Sequence, residues 1–395
     1  MSNLSAPRFF NAKTETVCAW GLIVASLVFL AVFGILGLFR SGSFGFDFAV
    51  FHKAGVEFLQ GQNPWLLSIN TNGPFSYPPH IGAVIAVYGL LPFKIALGLH
   101  TLLNLCSIAI VAFLANHWFI GVKQGQAITV LQGLCLALVL GNPYIAHSVY
   151  EGQLSLPAVA LLFLSWHFLQ RERWLLAGII LGVATIKPQV AILYILWLLF
   201  SWQLRVLIVG GVVAVLLLIP SVVNYGVTDT FTAWFASMAY YAKQWANQPG
   251  SPHVVGMEGV FVSVGVLGSG VFLKVLSVLS VWWVYIKRQD LSPVFIVNLF
   301  LLIALTLIYG HDTDFVVLSL FFSYLVCLAS NTQRIGALFI AGGLLALMFF
   351  PQRFIRMFDI AVLCHTRSIT LLFCVYFMYR WERESTSPVV STSPA

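Results

Sequence analysis

One short stretch of this chain, GFDFAVFHKAG at residues 45–55, concentrates ionisable side chains in a sequence that has few of them. It holds Asp47, His52 and Lys53, and Glu57 follows just beyond, whereas charged residues make up only 8% of the chain. Imidazoles and carboxylates are the groups that enzymes most often use to move protons. The stretch is therefore the first candidate for a chemical role.

A second candidate is Lys187, which interrupts a long apolar stretch in the run ATIKPQVAIL. A lysine at the centre of a bilayer costs roughly 2.5–3.5 kcal/mol on insertion scales, and the following Pro188 ends or kinks the helix. An ionisable residue inside a membrane is by default a site hypothesis. The functional interpretation of Lys187 is a cation that binds a lipid phosphate, and the structural one is a lysine that extends its ammonium group to the interface.

Other polar side chains lie in short segments between the apolar runs: FSYPP at 75–79, NPYIAHSVYEGQLS at 142–155 and YGHDTDF at 309–315. Helices that are distant in sequence are neighbours in a bundle, so these segments are candidates to meet at one edge of it. The alternative is that each polar group simply meets water, because loops are polar for trivial reasons as well as functional ones. The candidate pocket residues are Asp47, His52, Tyr77, Glu151, Gln153, His311, Asp312 and Asp314.

The elements that position these residues are helices of a membrane protein. Hydrophobic residues make up 60% of the 395 residues, and the mean hydropathy is +0.93, whereas about 25% of a soluble domain is charged. The apolar runs have the length of helices and lack the alternation of outer-membrane strands. The sequence therefore predicts an all-α polytopic membrane protein, a multi-helix transmembrane bundle of about 10–12 spans. The six cysteines show no CxxC spacing, so neither a disulfide nor zinc is implied.

The spans are placed by the residues that punctuate the apolar runs. His80–Pro92 is too short to cross and suits an interfacial or re-entrant helix, and if 174–186 and 189–201 form one re-entrant pair, the twelve spans become ten. We predict spans near 17–39, 96–116, 126–141, 153–170, 174–186, 189–201, 205–224, 257–284, 291–309, 315–331, 335–350 and 360–380.

The distribution of basic residues predicts the orientation, because cytoplasmic loops are enriched in Lys and Arg. With both termini in the cytoplasm, most basic residues lie inside and most acids outside. The net charge of +7 is then topology bias and does not indicate nucleic-acid binding. This orientation places the loop 40–79 outside, with an amphipathic helix that lies on the membrane surface, and makes 225–256 a second outer loop. Lys187 falls near the outer leaflet, and the inner (plasma) membrane is the predicted location.

Five segments follow one another in a characteristic order: GFDFAVFHKAGVEFLQGQNPW, FSYPPHIGAVIAVYGLLP, NPYIAHSVYEGQLSLPAVALL, RERWLLAGIILGVATIKPQVAIL and YGHDTDFVVL. In this order and spacing the chain resembles glycosyltransferase family 87 over about residues 40–320. Members of that family are integral membrane transferases of the GT-C superfold that use polyprenyl-phosphate sugars. The resemblance implies a GT-C fold with juxtamembrane helices on the outer face, with Asp47 as catalytic base and Lys187 at the lipid phosphate.

The chemistry of such a transfer agrees with the residue types. A sugar on a lipid phosphate already carries a competent leaving group, so the enzyme needs a base for the acceptor hydroxyl and donors for the departing phosphate. Besides Lys187, the candidate phosphate-binding residues are His311 and His52. The candidate substrate-pocket residues are Tyr77, Glu151, Gln153, Asp312 and Asp314.

No cofactor is predicted, and the sequence has no Walker-type phosphate loop. A divalent metal held by Asp312 and Asp314 is not favoured, because HDTD alone is a weak ligand signal. The predicted partners are a polyprenyl-phosphate-linked sugar, with mannose or another hexose as the sugar, a lipid or glycan acceptor, and membrane lipids. Attack from the face opposite the phosphate inverts the anomeric centre.

Two other classes stay open at this point. A lipid-linked glycan flippase or a secondary transporter places ionisable groups and broken helices near the bilayer midplane, and an inactive membrane scaffold needs no Asp47. For domain organisation, the sequence predicts a single transmembrane domain over 1–384. The Ser-, Thr- and Pro-rich segment 385–395 is predicted to be a disordered tail.

Overall fold

The apolar sequence folds almost entirely into helices, because within a bilayer an α-helix satisfies its backbone N–H and C=O groups internally. The computed structural model describes residues 11–38, 42–71, 73–358 and 360–386. This described part holds nineteen α-helices: α1 Ala12–Phe29, α2 Phe46–Leu59, α3 Pro64–Leu67, α4 Gly82–Gly89, α5 Phe93–Ala115, α6 Val130–Leu140, α7 Pro143–Glu151, α8 Ser155–Leu169, α9 Trp174–Ala184, α10 Pro188–Phe200, α11 Leu204–Tyr225, α12 Val227–Lys243, α13 Met257–Ser263, α14 Gly270–Lys287, α15 Pro293–Ile303, α16 Ser319–Asn331, α17 Ile335–Phe349, α18 Gln352–Arg356 and α19 Thr366–Thr386.

Short segments of other geometry extend or link these helices. The π-helical segments are Leu30–Ile35, Asn116–Ile120 and Ala304–Ile308, and the 3₁₀ segments are Pro79–Ile81, Trp245–Asn247, Asp312–Leu318 and Ala361–His365. Two antiparallel strands, β1 Val254–Val255 and β2 Gly310–His311, pair Val254 with His311. The pairing ties the segment before α13 to the segment before α16.

Seven helical runs of the described residues are long and apolar enough to cross a membrane, so the protein is an all-α polytopic membrane protein, as predicted. Six shorter apolar helical runs accompany them. The seven long runs are Ala12–Ile35, Phe93–Ile120, Val130–Glu151, Leu204–Tyr225, Gly270–Lys287, Asp312–Asn331 and Ala361–Ser385; the shorter ones are Pro79–Gly89, Ser155–Leu169, Trp174–Ala184, Pro188–Phe200, Pro293–Ile308 and Ile335–Phe349.

The centre of the bundle is the run that leads into α16. Of the most apolar window of Asp312–Asn331, 94% is buried inside the protein, against 17% for α11, whose surface is left for lipid. The start of this central run carries the HDTD stretch. Asp314, the second aspartate of that stretch, is therefore surrounded by other helices, whereas Asp312 is half-buried.

One predicted span is wrong. The apolar run 257–284 is not one helix but α13 and α14, separated by a turn at 264–269. Gly265 and Gly268 adopt φ values of +85° and +77° in that turn, a region that glycine enters without steric cost. Hydropathy alone does not register the break, because the turn residues around these glycines are themselves apolar.

The amphipathic helix predicted in the first connection is confirmed as α2, but its apolar face packs inside the protein. Phe48, Phe51 and Phe58 are buried, and α2 crosses α4 so closely that a Cβ on Gly55 would lie 2.1 Å from the carbonyl oxygen of Ile85. Glycine at the crossing allows this approach, as at other close helix contacts in membranes. The contact holds the helix that carries Asp47 in a fixed position.

Two predicted segments lie partly outside the described residues. Residues 39–41 and 72 lie outside the described residues, and the described part of the predicted loop 40–79 contains α2 and α3. The second predicted loop, 225–256, contains α12. Of the predicted tail 385–395, Ser385 and Thr386 end α19, and residues 387–395 lie outside the described residues.

Candidate active site

Asp47 lies in the first turn of α2, whose start is fixed by a glycine. Gly45 has φ +77°, and a Cβ there would lie 2.6 Å from Cδ1 of Leu97. Its N–H donates to the carbonyl oxygen of Tyr150 at 2.8 Å. Because this bond joins the start of α2 to the end of α7, Asp47 is placed beside the turn that follows α7.

That turn is made by Gly152, which ends α7 with φ +71°. A Cβ on Gly152 would lie 2.6 Å from the Cβ of Phe48, so only glycine allows α2 and the turn to approach this closely. The next residue, Gln153, donates its amide N–H to the carboxylate of Asp47 and lies 3.5 Å from Oε2 of Glu151. The amide therefore orients the Asp47 carboxylate.

Lys187 occupies the turn between α9 and α10. Pro188 begins α10 at a position where its missing N–H has no cost, and a residue before proline is kept out of the helical region. The ammonium group of Lys187 contacts the carboxylate of Asp314 and the hydroxyl of Ser155, and that hydroxyl donates to Oδ1 of Asp314 at 2.9 Å. Lys187 and Asp314 are 4% and 3% exposed, so this is a buried ion pair.

His311 and Asp314 bond to each other reciprocally at the start of the central helical run. The backbone N–H of His311 donates to Oδ2 of Asp314 at 3.0 Å, and the imidazole accepts from the backbone N–H of Asp314. The hydroxyls of Tyr241 and Tyr309 lie 2.7 Å and 2.8 Å from His311 Nε2. Burial lowers the pKa of His311, which agrees with a neutral ring that accepts at one nitrogen and donates at the other.

The carboxyl group of Asp47 has a pKa close to neutral pH. Burial raises its pKa to about 6, the charge of Lys187 opposes that rise, and the charge of Asp314 adds to it. Tyr77 is close enough for the charges of Asp47 and Asp314 to act on its phenol, although burial is the main cause of its raised pKa. The structure thus brings Asp47, Tyr77 and Gln153 to the same end of the bundle as the Lys187–Asp314 pair.

Three other predicted residues have partners of their own outside the bond between Gln153 and Asp47. Glu151 pairs with His147 at 3.2 Å. The carboxylate of Asp312 lies 3.9 Å from Nδ1 of His253. His52 bonds through Nε2 to the carbonyl oxygen of Leu91 at 2.9 Å, a contact between α2 and the segment after α4, and no contact in the described structure joins it to Lys187 or Asp314.

The described residues contain no group of three or more His, Cys, Asp or Glu side chains arranged to hold a metal ion. The two aspartates of HDTD have different partners. Both carboxylate oxygens of Asp314 accept bonds from Lys187, Ser155 and the His311 backbone, whereas Asp312 lies beside His253. Metal independence itself stays a prediction.

Three residues of the site were not singled out from the sequence: Ser155, Tyr241 and Tyr309. Ser155 and Tyr309 lie within the segments that carried the other candidates, GQLS and YGHDTDF, so their signal was proximity alone. Tyr241 lies near the end of α12, in the second connection, and its sequence context gives no signal. Only the folded chain places its hydroxyl on His311.

Comparison with known proteins supports the same class of enzyme. The model of glycosyltransferase family 87 matches residues 75–330, which is more than half of the chain and includes Lys187, His311 and Asp314. Asp47 precedes the matched stretch. Searches of curated proteins and of solved structures found no match. The match and the apolar helices together identify a multi-pass membrane glycosyltransferase, and the chain belongs to glycosyltransferase family 87.

Proposed function

We propose that the protein transfers a sugar, mannose or another hexose, from a polyprenyl-phosphate donor to a lipid or glycan acceptor at the outer face of the membrane. The observation that carries the proposal is the Asp47 carboxylate, oriented by Gln153 beside the buried pair of Lys187 and Asp314. A membrane glycosyltransferase needs one base and a polar site that both an acceptor and a lipid-borne donor reach. In this proposal the carboxylate of Asp47 is the base.

The pKa of Asp47 suits a general base. With a pKa of about 6 the carboxylate is mostly ionised at neutral pH, and it is more basic than an ordinary aspartate, so it takes a proton from a hydroxyl more readily. In the step that we propose, Asp47 accepts the acceptor O–H proton while that oxygen forms a bond to the anomeric carbon. The bond from the anomeric carbon to the phosphate oxygen breaks, and the lipid phosphate leaves with the electron pair. Attack opposite to the phosphate inverts the anomeric centre.

The residues around Asp47 have separate tasks in this proposal. Lys187 forms an ion pair with Asp314. Its positive charge still acts on the site, but the carboxylate of Asp314 offsets part of it. His311 is held neutral and serves as a hydrogen-bonding group beside Tyr241 and Tyr309. The phosphate-binding roles predicted for Lys187, His311 and His52 stay predictions, and for His52 the bond to Leu91 is the contact that a ligand must replace.

A donor assay tests the function. Purified protein in lipid nanodiscs, mixed with the glycolipids of its source membrane, is expected to transfer label from polyprenyl-phosphate [¹⁴C]mannose and not from GDP-[¹⁴C]mannose. A parallel reaction with a polyprenyl-phosphate pentose measures the preference for hexose. Transfer from the nucleotide sugar alone would overturn the proposal, and movement of the lipid donor across a vesicle membrane without transfer would favour a flippase.

The side on which the site lies has its own test. Gln62 is exposed in the turn after α2, so the variant Gln62→Cys is expected to react with a membrane-impermeant maleimide added to intact cells. Wild-type protein measures the background from its six native cysteines. Labelling of Gln62→Cys only after lysis would place the site on the cytoplasmic side.

A further inference from the structure

Arg367, in the first turn of α19, lies beyond the segment that matches the family model. Its guanidinium carbon is 5.3 Å from the centroid of the Tyr144 ring and 5.7 Å from that of Phe315. Both rings are buried. Aromatic rings hold a guanidinium by cation–π contact and remove water from its faces, so the N–H groups at its edge are what Arg367 offers to a ligand.

The hydrogen bonds of Arg367 are incomplete. Nη2 donates to the carbonyl oxygen of Phe350 at 3.0 Å. Nε is buried and has no hydrogen-bond partner among the described residues. A buried N–H without an acceptor is costly, and an arginine edge of Nε and Nη matches two oxygens of a phosphate.

The charge of Arg367 is also unmatched. In the described part of the chain no carboxylate forms an ion pair with it, whereas the ammonium of Lys187 is paired with Asp314. The charge of Arg367 acts on Asp312 without an ion pair, and the carboxylate of Asp312 lies 3.9 Å from Nδ1 of His253. Unlike Lys187, whose ammonium group is paired with Asp314, Arg367 therefore has free capacity for an anion.

The face of α7 connects Arg367 to the catalytic base. Tyr144, His147 and Glu151 follow one another at i, i+3 and i+7, so they share one face of the helix. The ring of Tyr144 stacks against the guanidinium of Arg367. At the other end of this face, Oε2 of Glu151 lies 3.5 Å from the amide nitrogen of Gln153, and the same amide donates to Asp47. At a rise of 1.5 Å per residue Tyr144 and Glu151 are about 10 Å apart along the helix, and His147 lies between them on the same face.

Exposed apolar residues accompany Arg367, through a hydrogen bond in the case of Phe350 and through nearness in the chain in the case of Ile360 and Leu363. Phe350, which accepts its hydrogen bond, is 46% exposed, and Ile360 and Leu363 in the segment before α19 are also exposed. In a membrane protein such surface meets hydrocarbon chains. A ligand that lies across Arg367 thus has a polar neighbourhood toward Asp47 and an apolar one away from it.

We propose that Arg367 binds the phosphate of the polyprenyl-phosphate donor, with the sugar along the α7 face toward Asp47 and the isoprenoid chain on the apolar surface around Ile360 and Leu363. The assignment rests on the proposed function, because it presumes a lipid-linked donor. Lys187 then acts mainly through its pair with Asp314, and Arg367 is the residue that touches the phosphate.

A binding measurement without turnover tests the proposal. Undecaprenyl monophosphate is titrated into purified protein in zwitterionic nanodiscs, and the Kd is read from tryptophan fluorescence. Arg367→Gln is expected to raise the Kd about 10- to 100-fold, the loss typical of hydrogen bonds to a charged group, and to raise the donor KM by a similar factor. Arg367→Lys, which keeps the charge but loses the planar pair of donors, is expected to fall between Gln and wild type.

The matched control is Arg353→Gln. Arg353 is an exposed arginine in α18 that stacks on Phe354, so its replacement removes the same charge from the same region and is expected to leave the Kd unchanged. Parallel titrations with inorganic phosphate and with phosphatidylglycerol nanodiscs separate a lipid phosphomonoester from free phosphate and from general attraction to anionic lipid. Equal affinity for either would overturn the assignment.

The outcomes distinguish this inference from the proposed function. If wild type transfers sugar from the lipid donor and Arg367→Gln binds undecaprenyl monophosphate as tightly as wild type, the Arg367 assignment alone is wrong. If wild type neither binds the lipid phosphate nor transfers sugar from it, the proposed function is wrong. Should Arg367→Gln fail to fold, Arg367→Lys decides, and wild-type Kd in that variant would overturn the proposal.

Discussion

Replacement of Asp47 by Asn is expected to lower the rate of sugar transfer by about 10²–10⁴-fold, the range that a positioned general base contributes. Asn has nearly the same size and still bonds to Gln153, but it takes no proton at neutral pH. The loss should appear in kcat with little change in donor KM, because the removed group acts on the acceptor proton in the transition state. Steady-state kinetics in nanodiscs measure both constants.

The matched control for Asp47→Asn is Asp229→Asn. Both carboxylates lie in the first turn of a helix, where a negative charge interacts favourably with the positive end of the helix dipole. Asp229, however, is exposed at the start of α12. We expect Asp229→Asn to retain wild-type activity. A loss of similar size in both variants would mean that helix stability, rather than proton transfer, explains the Asp47 effect.

The pH dependence gives an independent test of the same assignment. A base must be deprotonated to act, so wild-type kcat is expected to be constant above pH 7 and to fall tenfold per pH unit below the Asp47 pKa of about 6. Asp47→Asn should lose this acidic limb. An acidic limb near pH 4 in the wild type would indicate an ordinary exposed carboxylate and would contradict the buried setting of Asp47.

Replacement of Lys187 by Met is expected to destabilise the protein by about 3–5 kcal/mol, because it leaves the buried carboxylate of Asp314 without its partner charge. The effect should be on the free energy of unfolding and should be present without any substrate. Denaturant titration in detergent micelles, followed by tryptophan fluorescence, measures it. A change confined to donor KM, with wild-type stability, would instead make Lys187 a phosphate-binding residue, as the sequence suggests.

Two further variants sharpen the Lys187 test. Lys53→Met breaks an ion pair with Glu57 that is 3.8 Å long and has an exposed lysine, and exposed pairs of this kind contribute about 0.3–0.5 kcal/mol. The double variant Lys187→Met/Asp314→Asn removes both charges of the buried pair. It is expected to recover part of the stability that the single Lys187 variant loses, because an unpaired buried charge costs more than the absent pair.

The sequence predicted the class of fold because that class follows from local patterns. Apolar runs of helical length specify spanning helices whatever their neighbours are, and the period of Phe48, Phe51 and Val56 indicates α2 without knowledge of its partner. The same reasoning fails where the signal is a backbone angle inside an apolar run. Gly265 and Gly268 break the predicted span 257–284, and the surrounding hydropathy conceals the break.

The sequence indicated the candidate residues, but it did not show which groups they contact. Asp47 and Lys187 stand out because charged residues are rare in this apolar chain. The sequence does not show, however, whether a lysine binds a lipid phosphate or an aspartate of its own chain. The bond from Gln153 to Asp47 spans 106 residues, and that from Lys187 to Asp314 spans 127. Contacts of this range depend on which helices pack together.

By itself the sequence determined that the chain forms a bundle of membrane helices and which ionisable side chains lie among them, because length, hydropathy and charge are local properties. The tertiary structure alone decided that Lys187 is paired with Asp314, that burial lowers the pKa of His311, and that the Nε group of Arg367 has no partner among the described residues. The physical reason is burial: the charge state of a group and its unmet hydrogen bonds depend on every neighbour that replaces water around it.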